Sequence, residues 1–418
     1  MTHFLHDSFL LVLFKVNSFI KDDQWMVISL QHYLNCFLIH LDRIPDCQIL
    51  KTEKNIRNIN KKMAINRLKN NRSAKTKDLP PPYPNGWYGV LESSMLSAGK
   101  SMYISCLGQH FAVYRTQAHK VYVLDTYCPH LGANMGLSGR VVGDNIECPF
   151  HKWSFRGIDG RCTNIPYSSC VPSAIKVKKW ISTEVNDHIF IWYNVEDLEQ
   201  PWTIPISDEL QTKQFVYQGR NEFYVNCHIQ EIPENGADLA HFAAIHKKSF
   251  MSGCIDAKEN FLTNFARHDW KASWSATEDK HIAEVKLCHY IVLFNKFKFF
   301  KINVTGKQLG PSYVHLFLHS PIFGSFQIFQ TITPVEPLLQ KVVHRFYAPR
   351  LMAPIVKILI CGESIMFERD MNIWDHKIYR GNPQLIVEDS SVKKFRKWYS
   401  NFYSVNSDGF NISETLQW

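Results

Sequence analysis

The segment CPHLGANMGLSGRVVGDNIECPFHKW, residues 128–153, limits this chain more than any other. It reads Cys128-x-His130, seventeen residues, then Cys148-x-x-His151. Two thiols and two imidazoles could close a tetrahedral zinc site. Zinc fingers, however, pair Cys with Cys and His with His, whereas here each short motif contributes one of each. Mixed pairs suit a [2Fe-2S] cluster in which two thiolates hold one iron and two imidazoles the other. Neutral imidazoles in place of thiolates raise such a cluster's potential to roughly −150 to +300 mV, against about −400 mV for all-cysteine ferredoxins. Gly132, Gly136, Gly139 and Gly143, with Pro129 and Pro149, permit the tight loops that a cluster needs around it.

The cysteine usage of the whole chain fits a metal protein better than a disulfide framework. There are eleven in 418 residues, an odd number without regular spacing, which points to a reducing compartment. The net charge of +9 is concentrated in residues 51–77, where ten Lys or Arg face one Glu. No aromatic platform surrounds that stretch, so it reads as a basic tether or membrane-surface patch rather than a nucleic-acid site. Upstream, residues 8–20 and 26–41 are apolar but interrupted by Lys15, Asn17, Gln31, His32 and Asn35. Neither offers the ~20 uninterrupted apolar residues of a bilayer span, so an anchor lying at the interface, a loosely packed accessory segment and a single span all stay open.

Organisation follows from patterning. The Pro-rich stretch at 78–90 ends the low-complexity region, and residues 102–127 alternate as short antiparallel strands. A further strand is expected at 187–195, a connection at 203–221, and helical structure over 223–250 with Pro233 in a first turn. Strands return at 296–306, 314–320, 324–335 and 341–348, and a late helix is expected over 355–381. The chain is therefore read as α+β: an N-terminal all-β [2Fe-2S] domain followed by a catalytic domain with an antiparallel sheet covered by helices. The expected boundaries are an apolar segment at 1–50, a basic linker at 51–79, the cluster domain at 80–200, the catalytic domain at 201–400 and a tail at 401–418.

A second constellation, ENGADLAHFAAIH, spans residues 234–246. Asp238 and His241 are three apart and share a helical face. His241 and His246 are five apart, about 140° around an ideal helix, and converge only where the helix ends or bulges between them. Two His with one carboxylate, leaving open positions, are the ligand set of a mononuclear non-haem Fe(II) site.

The stretch CPHLGANMG…ECPFHKWSF resembles the Rieske domain of Rieske-type non-haem iron oxygenases, with Lys152 where many members have Gly. The second constellation resembles the iron motif of the same family, in the same order. The resemblance implies that His241 and His246 bind iron and that Asp238 bridges towards the cluster of a neighbouring subunit. FERDMNIWDHK, residues 367–377, resembles the family's late helical motif and points to Asp370 as third ligand, with Glu368 and Asp375 as alternatives. PPPYPNGWYGVLES, EIPENGADLAHF, TITPVEP and IWDHKIYRG further resemble the Neverland cholesterol 7-desaturases and related steroid-hydroxylating oxygenases, over about residues 80–395.

What that resemblance implies is oxygen-dependent 7,8-desaturation of cholesterol to 7-dehydrocholesterol, early in steroid-hormone synthesis. The chain has neither a Gly-x-Gly-x-x-Gly dinucleotide turn nor a C-x4-C-x2-C ferredoxin spacing, so NAD(P)H-derived electrons would arrive through a separate reductase. A trimer follows from the resemblance alone. Sterol solubility and the apolar, basic amino terminus together lead to an expected intracellular membrane location, at the endoplasmic reticulum. Two rival readings are a Rieske hydroxylase of another steroid or hydrophobic molecule, and an electron carrier whose second site is vestigial.

Overall fold

A computed structural model of the protein describes residues 79–196, 201–248, 266–293 and 296–409. The apolar segments at 8–20 and 26–41, the basic stretch at 51–77 and the end of the expected tail lie outside the described residues. Among the described residues, no helix is long and apolar enough to cross a membrane.

The alternating runs form strands in three small sheets. Strand β1 (Gly86–Glu92) is followed by the hairpin series β2 (Ser101–Cys106), β3 (Gln109–Arg115) and β4 (Val121–Asp125). After helix α1 (Met135–Ser138) come β5 (Arg140–Val142), β6 (Asn145–Glu147), β7 (Ser154–Arg156) and β8 (Cys162–Asn164). Strands β9 (Ser182–Val185) and β10 (His188–Tyr193) complete the set. The sheet orders are β1-β10-β9, β2-β3-β4 and β5-β6-β7-β8. Every pairing is antiparallel, as hairpin connections of a few residues require. One Cys/His loop joins β6 to β7 within the third sheet, and the other leads from β4 of the second sheet to α1.

The second unit opens with α2 (Asp208–Gln211) and then β11 (Val216–Val225). The expected connection at 203–221 is thus corrected, since residues 208–211 are helical and the strand already begins at Val216. Gly219 and two charged residues blur the alternation there, and β11 lies at an edge of the sheet, where one side needs no partner strand. Two short helices, α3 (Glu231–Glu234) and α4 (Leu239–Ile245), precede β12 (Ala266–Ala276), β13 (Ile282–Leu293), β14 (Phe297–Leu309), β15 (Tyr313–Ser320), β16 (Gly324–Glu336) and β17 (Leu339–Ala348). The seven strands form one antiparallel sheet in the order β11-β17-β16-β15-β14-β13-β12. Sequence reading passed over β12 and β13, whose inward positions hold His268, Ala272, His289 and similar residues in place of a strong apolar alternation. Pro233 is the third residue of α3, a position whose N–H needs no helical partner.

Helix α5 (Ala353–Trp374) covers the β11 and β17 end of the sheet, and α6 (Ser390–Tyr399) packs beside β12. The late helix stops at Trp374 rather than 381, because the Asp375 carboxylate is taken by the backbone N–H of Asn226 at 3.0 Å. Phe402, assigned to the tail by the sequence, is buried against Trp398.

The two units share a core. One apolar cluster runs from Tyr88, Phe111 and Trp180 through Phe223, Ile332 and Val342 to Phe367 and Trp374 of α5. Polar ties reinforce the seam: Glu92 of β1 receives Arg220 at 2.9 Å and Arg345 at 3.3 Å, and Thr333 donates to the Gly89 carbonyl at 2.7 Å. A buried, mostly apolar seam of this kind fixes one unit against the other and leaves little freedom between the two motifs.

Candidate metal centres

The two Cys/His loops are built alike. Cys128 N–H donates to the Ala133 carbonyl at 2.9 Å and its own carbonyl accepts Gly132 N–H at 2.9 Å. Cys148 N–H donates to Trp153 O at 2.7 Å and its carbonyl accepts Lys152 N–H at 3.1 Å. Each pattern folds the chain back beneath the cysteine and needs a left-handed residue four positions on, where Gly132 has φ 75° and Lys152 has φ 63°. Lys152, where many oxygenases of this type have Gly, therefore keeps the loop shape at the cost of a conformation that β-carbons disfavour.

The loops bring the donors together. The His130 and His151 rings lie 4.7 Å apart, and the thiols of Cys128 and Cys148 are neighbours in a buried pocket. His130 stacks on Trp153 with centroids 4.5 Å apart, and Trp153 is held by its Nε1–H donating to Tyr167 Oη at 2.8 Å. Burial, with Cys148 adding to it and the His130 backbone amide opposing, pushes the Cys128 thiol up to about 11. A thiolate is thus stable there only against a metal's positive charge. With His130 Nδ1 buried and without a hydrogen-bond partner, two sulfurs and two nitrogens fit a [2Fe-2S] cluster of the mixed type.

The second site depends on how α4 begins and ends. Asp238 is its N-cap, with Oδ1 accepting the His241 backbone N–H at 3.3 Å. The His241 ring Nδ1–H donates to the Asp238 carbonyl oxygen rather than to its carboxylate. The backbone carbonyl of Asp238, not its carboxylate, orients this imidazole. The helix stops at Ile245, and His246 turns out of it with φ −99° and ψ 11°. Trp270 Nε1–H donates to His246 O at 3.1 Å, and Arg369 Nη1 donates to Lys248 O at 2.9 Å. This termination offsets the 140° spacing and sets the two rings 5.2 Å apart at 82°.

Asp370 reaches the same point from α5. One ligand atom from each of His241, His246 and Asp370 lies within 4.8 Å of the others. His246 Nε2 and Asp370 Oδ1 face each other at 3.2 Å, yet neither Asp370 Oδ1 nor His246 Nδ1 has a hydrogen-bond partner. Buried polar atoms converging without partners fit a cation, and two His with one carboxylate fit mononuclear Fe(II). Burial holds the His241 imidazole below its ordinary pKa, the state that can donate a lone pair, although the Asp238 carbonyl pulls the other way. Asp375 is committed to Asn226, and Glu368 is not gathered with the two His.

Sequence reasoning did not find the ring stack behind His246. Trp270 lies over His289 at 4.1 Å, and His268 Nδ1 meets His289 Nε2 at 2.6 Å. Burial depresses both imidazoles, His289 to about 4, so the stack is neutral. The alternation of His268, Trp270, Ala272 and Trp274 was the available signal.

Comparison with known proteins follows this geometry. The Rieske [2Fe-2S] domain profile matches residues 86–176, and that of the 3-ketosteroid 9alpha-hydroxylase C-terminal domain matches residues 191–403. The cholesterol 7-desaturase nvd of Drosophila melanogaster is 53% identical over 88% of this chain and 86% of its own length. The chain belongs to the cholesterol 7-desaturase family. The family member of Xenopus laevis is 45% identical over 82% of this chain and 76% of its own. Outside the cholesterol 7-desaturases, a probable 3-ketosteroid-9-alpha-monooxygenase, oxygenase component, of Rhodococcus rhodochrous is 27% identical over 78% of this chain. Among solved structures, Pseudomonas putida NdmA with caffeine shares the fold, with a TM-score of 0.57 at 16% identity over 75% of this chain and 89% of its own. This cholesterol 7-desaturase family member is thus an oxidoreductase with a Rieske domain ahead of an α+β catalytic domain.

Proposed function

We propose that the protein desaturates cholesterol between carbons 7 and 8, giving 7-dehydrocholesterol for steroid-hormone biosynthesis. The observation that carries this reading is the 53% identity, over 88% of the chain, to a cholesterol 7-desaturase. In this reading Cys128, Cys148, His130 and His151 hold the [2Fe-2S] cluster, and His241, His246 and Asp370 hold a mononuclear iron. Together the two groups would supply single electrons and the O2-dependent removal of hydrogen from an unactivated C–H bond. The chain's own part is to present two imidazoles and one carboxylate from buried positions, with Trp270 and Arg369 holding the His246 turn. Low solvent exposure at His246 and Asp370 keeps bulk water from that face.

Electrons would come from NAD(P)H through a separate reductase, which agrees with the missing dinucleotide turn and with a relative named as an oxygenase component. Asp238, half-buried at the start of α4, would serve the route from a neighbouring subunit's cluster in a homo-oligomer, a trimer in this reading. The apolar and basic amino terminus would hold the enzyme at an intracellular membrane, the endoplasmic reticulum.

The decisive experiment incubates the purified, metal-loaded protein with labelled cholesterol, a reductase and oxygen, and identifies the product by mass spectrometry. Loss of the hydrogens at carbons 7 and 8 is expected. A product that has gained an oxygen atom would replace this reading with that of a steroid hydroxylase.

A further inference from the structure

A row of side chains crosses the sheet through its register. His344 of β17 lies opposite Gln330 of β16, and Gln330 lies opposite Val314 of β15. Directly opposed residues of antiparallel strands project from the same face. His344 shows which face: its ring centroid is 4.9 Å from that of Phe367 on α5, three residues before Asp370. Behind the row, His344 Nδ1 meets Glu363 Oε1 at 2.6 Å, and Glu363 Oε2 accepts from Asn221 Nδ2 at 2.6 Å. Glu363 precedes Asp370 by about 10 Å of helix axis.

The face is apolar but not closed. On β15, Val314, Leu316 and Leu318 are only half-buried. On β16, Phe326 to Phe329 and Thr331 to Pro334 are buried, and Gln330 alone between them is half-open. Among the described residues its carboxamide has no hydrogen-bond partner. A half-open polar group without a partner, set in an apolar floor on the face that packs against α5, is placed to meet a ligand.

We propose that Gln330 receives the single hydroxyl of the sterol and thereby sets which ring carbon is presented to His241, His246 and Asp370. The inference rests on the function proposed above. A sterol offers one neutral hydroxyl, both donor and acceptor, and a carboxamide matches both roles without burying a charge. The hydroxyl-bearing carbon 3 and carbon 7 sit on adjacent fused rings, so the anchor must stand a short distance from the triad rather than at the far end of a long pocket. Gln330 lies across the β16–β17 pairing from His344, whose ring contacts Phe367 three residues before Asp370.

The test is equilibrium binding of cholesterol and of its 3-deoxy analogue, cholest-5-ene, to metal-loaded wild type and Gln330→Met. Wild type should prefer cholesterol by about tenfold, the effect of one neutral hydrogen bond in an apolar site. Gln330→Met, close in length and apolar, should lose that preference while holding cholest-5-ene within about twofold of wild type. Should the Met variant not fold, Gln330→Leu is judged by the same criterion. A preference for cholesterol that survives in a folded variant, or no preference in wild type, overturns the anchor. Because binding is read without turnover, the two readings separate. Selective binding through Gln330 without formation of 7-dehydrocholesterol overturns the proposed function alone, and turnover with a Gln330-independent preference overturns the anchor alone.

Discussion

Asp238 meets His241 twice, its carboxylate taking the backbone N–H at 3.3 Å and its carbonyl oxygen taking the imidazole Nδ1 proton. The carboxylate is thus a helix cap with an oxygen to spare. Asp238→Asn keeps a capping side chain and should leave α4 and the metal content unchanged. If the charge serves electron transfer between subunits, single turnover from a prereduced cluster should slow by about a hundredfold, a barrier increase of roughly 2.7 kcal/mol. Wild-type rates of cluster oxidation and product formation in this variant would leave Asp238 as a cap only.

Lys152 occupies the left-handed position that Gly132 occupies in the partner loop. A left-handed non-glycine residue costs about 1–2 kcal/mol, of which glycine's greater unfolded-state freedom returns about 0.5–1. Lys152→Gly should therefore raise stability by about 0.5 kcal/mol and leave the cluster absorption spectrum unchanged. The Lys152 contact with Glu147 at 3.8 Å is exposed and should not offset this. A lowered urea midpoint for the glycine variant would contradict the strain assignment.

His188 sits in the seam between the units, where burial, and after it the Arg345 guanidinium, lowers its pKa from 6.5 to about 3. Arg220 and Lys341 push the same way, while a backbone hydrogen bond at Asn186 opposes them. Below 6.5 the unfolded chain binds a proton that the folded chain refuses until about 3. Stability present at neutral pH is therefore lost as pH falls through that window, by at most about 1.4 kcal/mol per pH unit for one histidine. His228, lowered to about 4 by burial, adds to the same trend. Urea midpoints at pH 7, 6 and 5 should fall in that order, and His188→Phe should flatten the slope. An equal slope in wild type and variant would show that His188 does not carry the effect.

Deleting residues 1–77 should leave the cluster spectrum and iron content intact while releasing the protein from membranes, because both metal-ligand sets lie beyond residue 127. Full-length protein that stays in the soluble fraction at low salt would remove the anchor from the proposal.

The cluster motif was legible because all four donors lie in two short segments, where spacing alone carries the geometry. The α+β order was legible for a related reason: alternating runs rich in Val, Ile, Phe and Tyr, separated by turn residues, mark β2 to β4 and β14 to β17. Alternation failed at β11, β12 and β13, where Gly219, His268, Ala272 and His289 stand at inward positions and only neighbouring strands make them inward. The His241, His246 and Asp370 set divides the same way. Its residue types and the angular problem between His241 and His246 could be read in the chain, but the solution could not. Ending α4 at Ile245 requires Trp270 from β12 and Arg369 from α5, and Asp370 meets the two imidazoles only once α5 lies on β11. Those contacts join residues far apart in sequence, so they form through burial of a shared core. Local sequence determined which groups could bind metal, and tertiary packing decided that they meet and that Gln330 stands opposite His344 on the sheet.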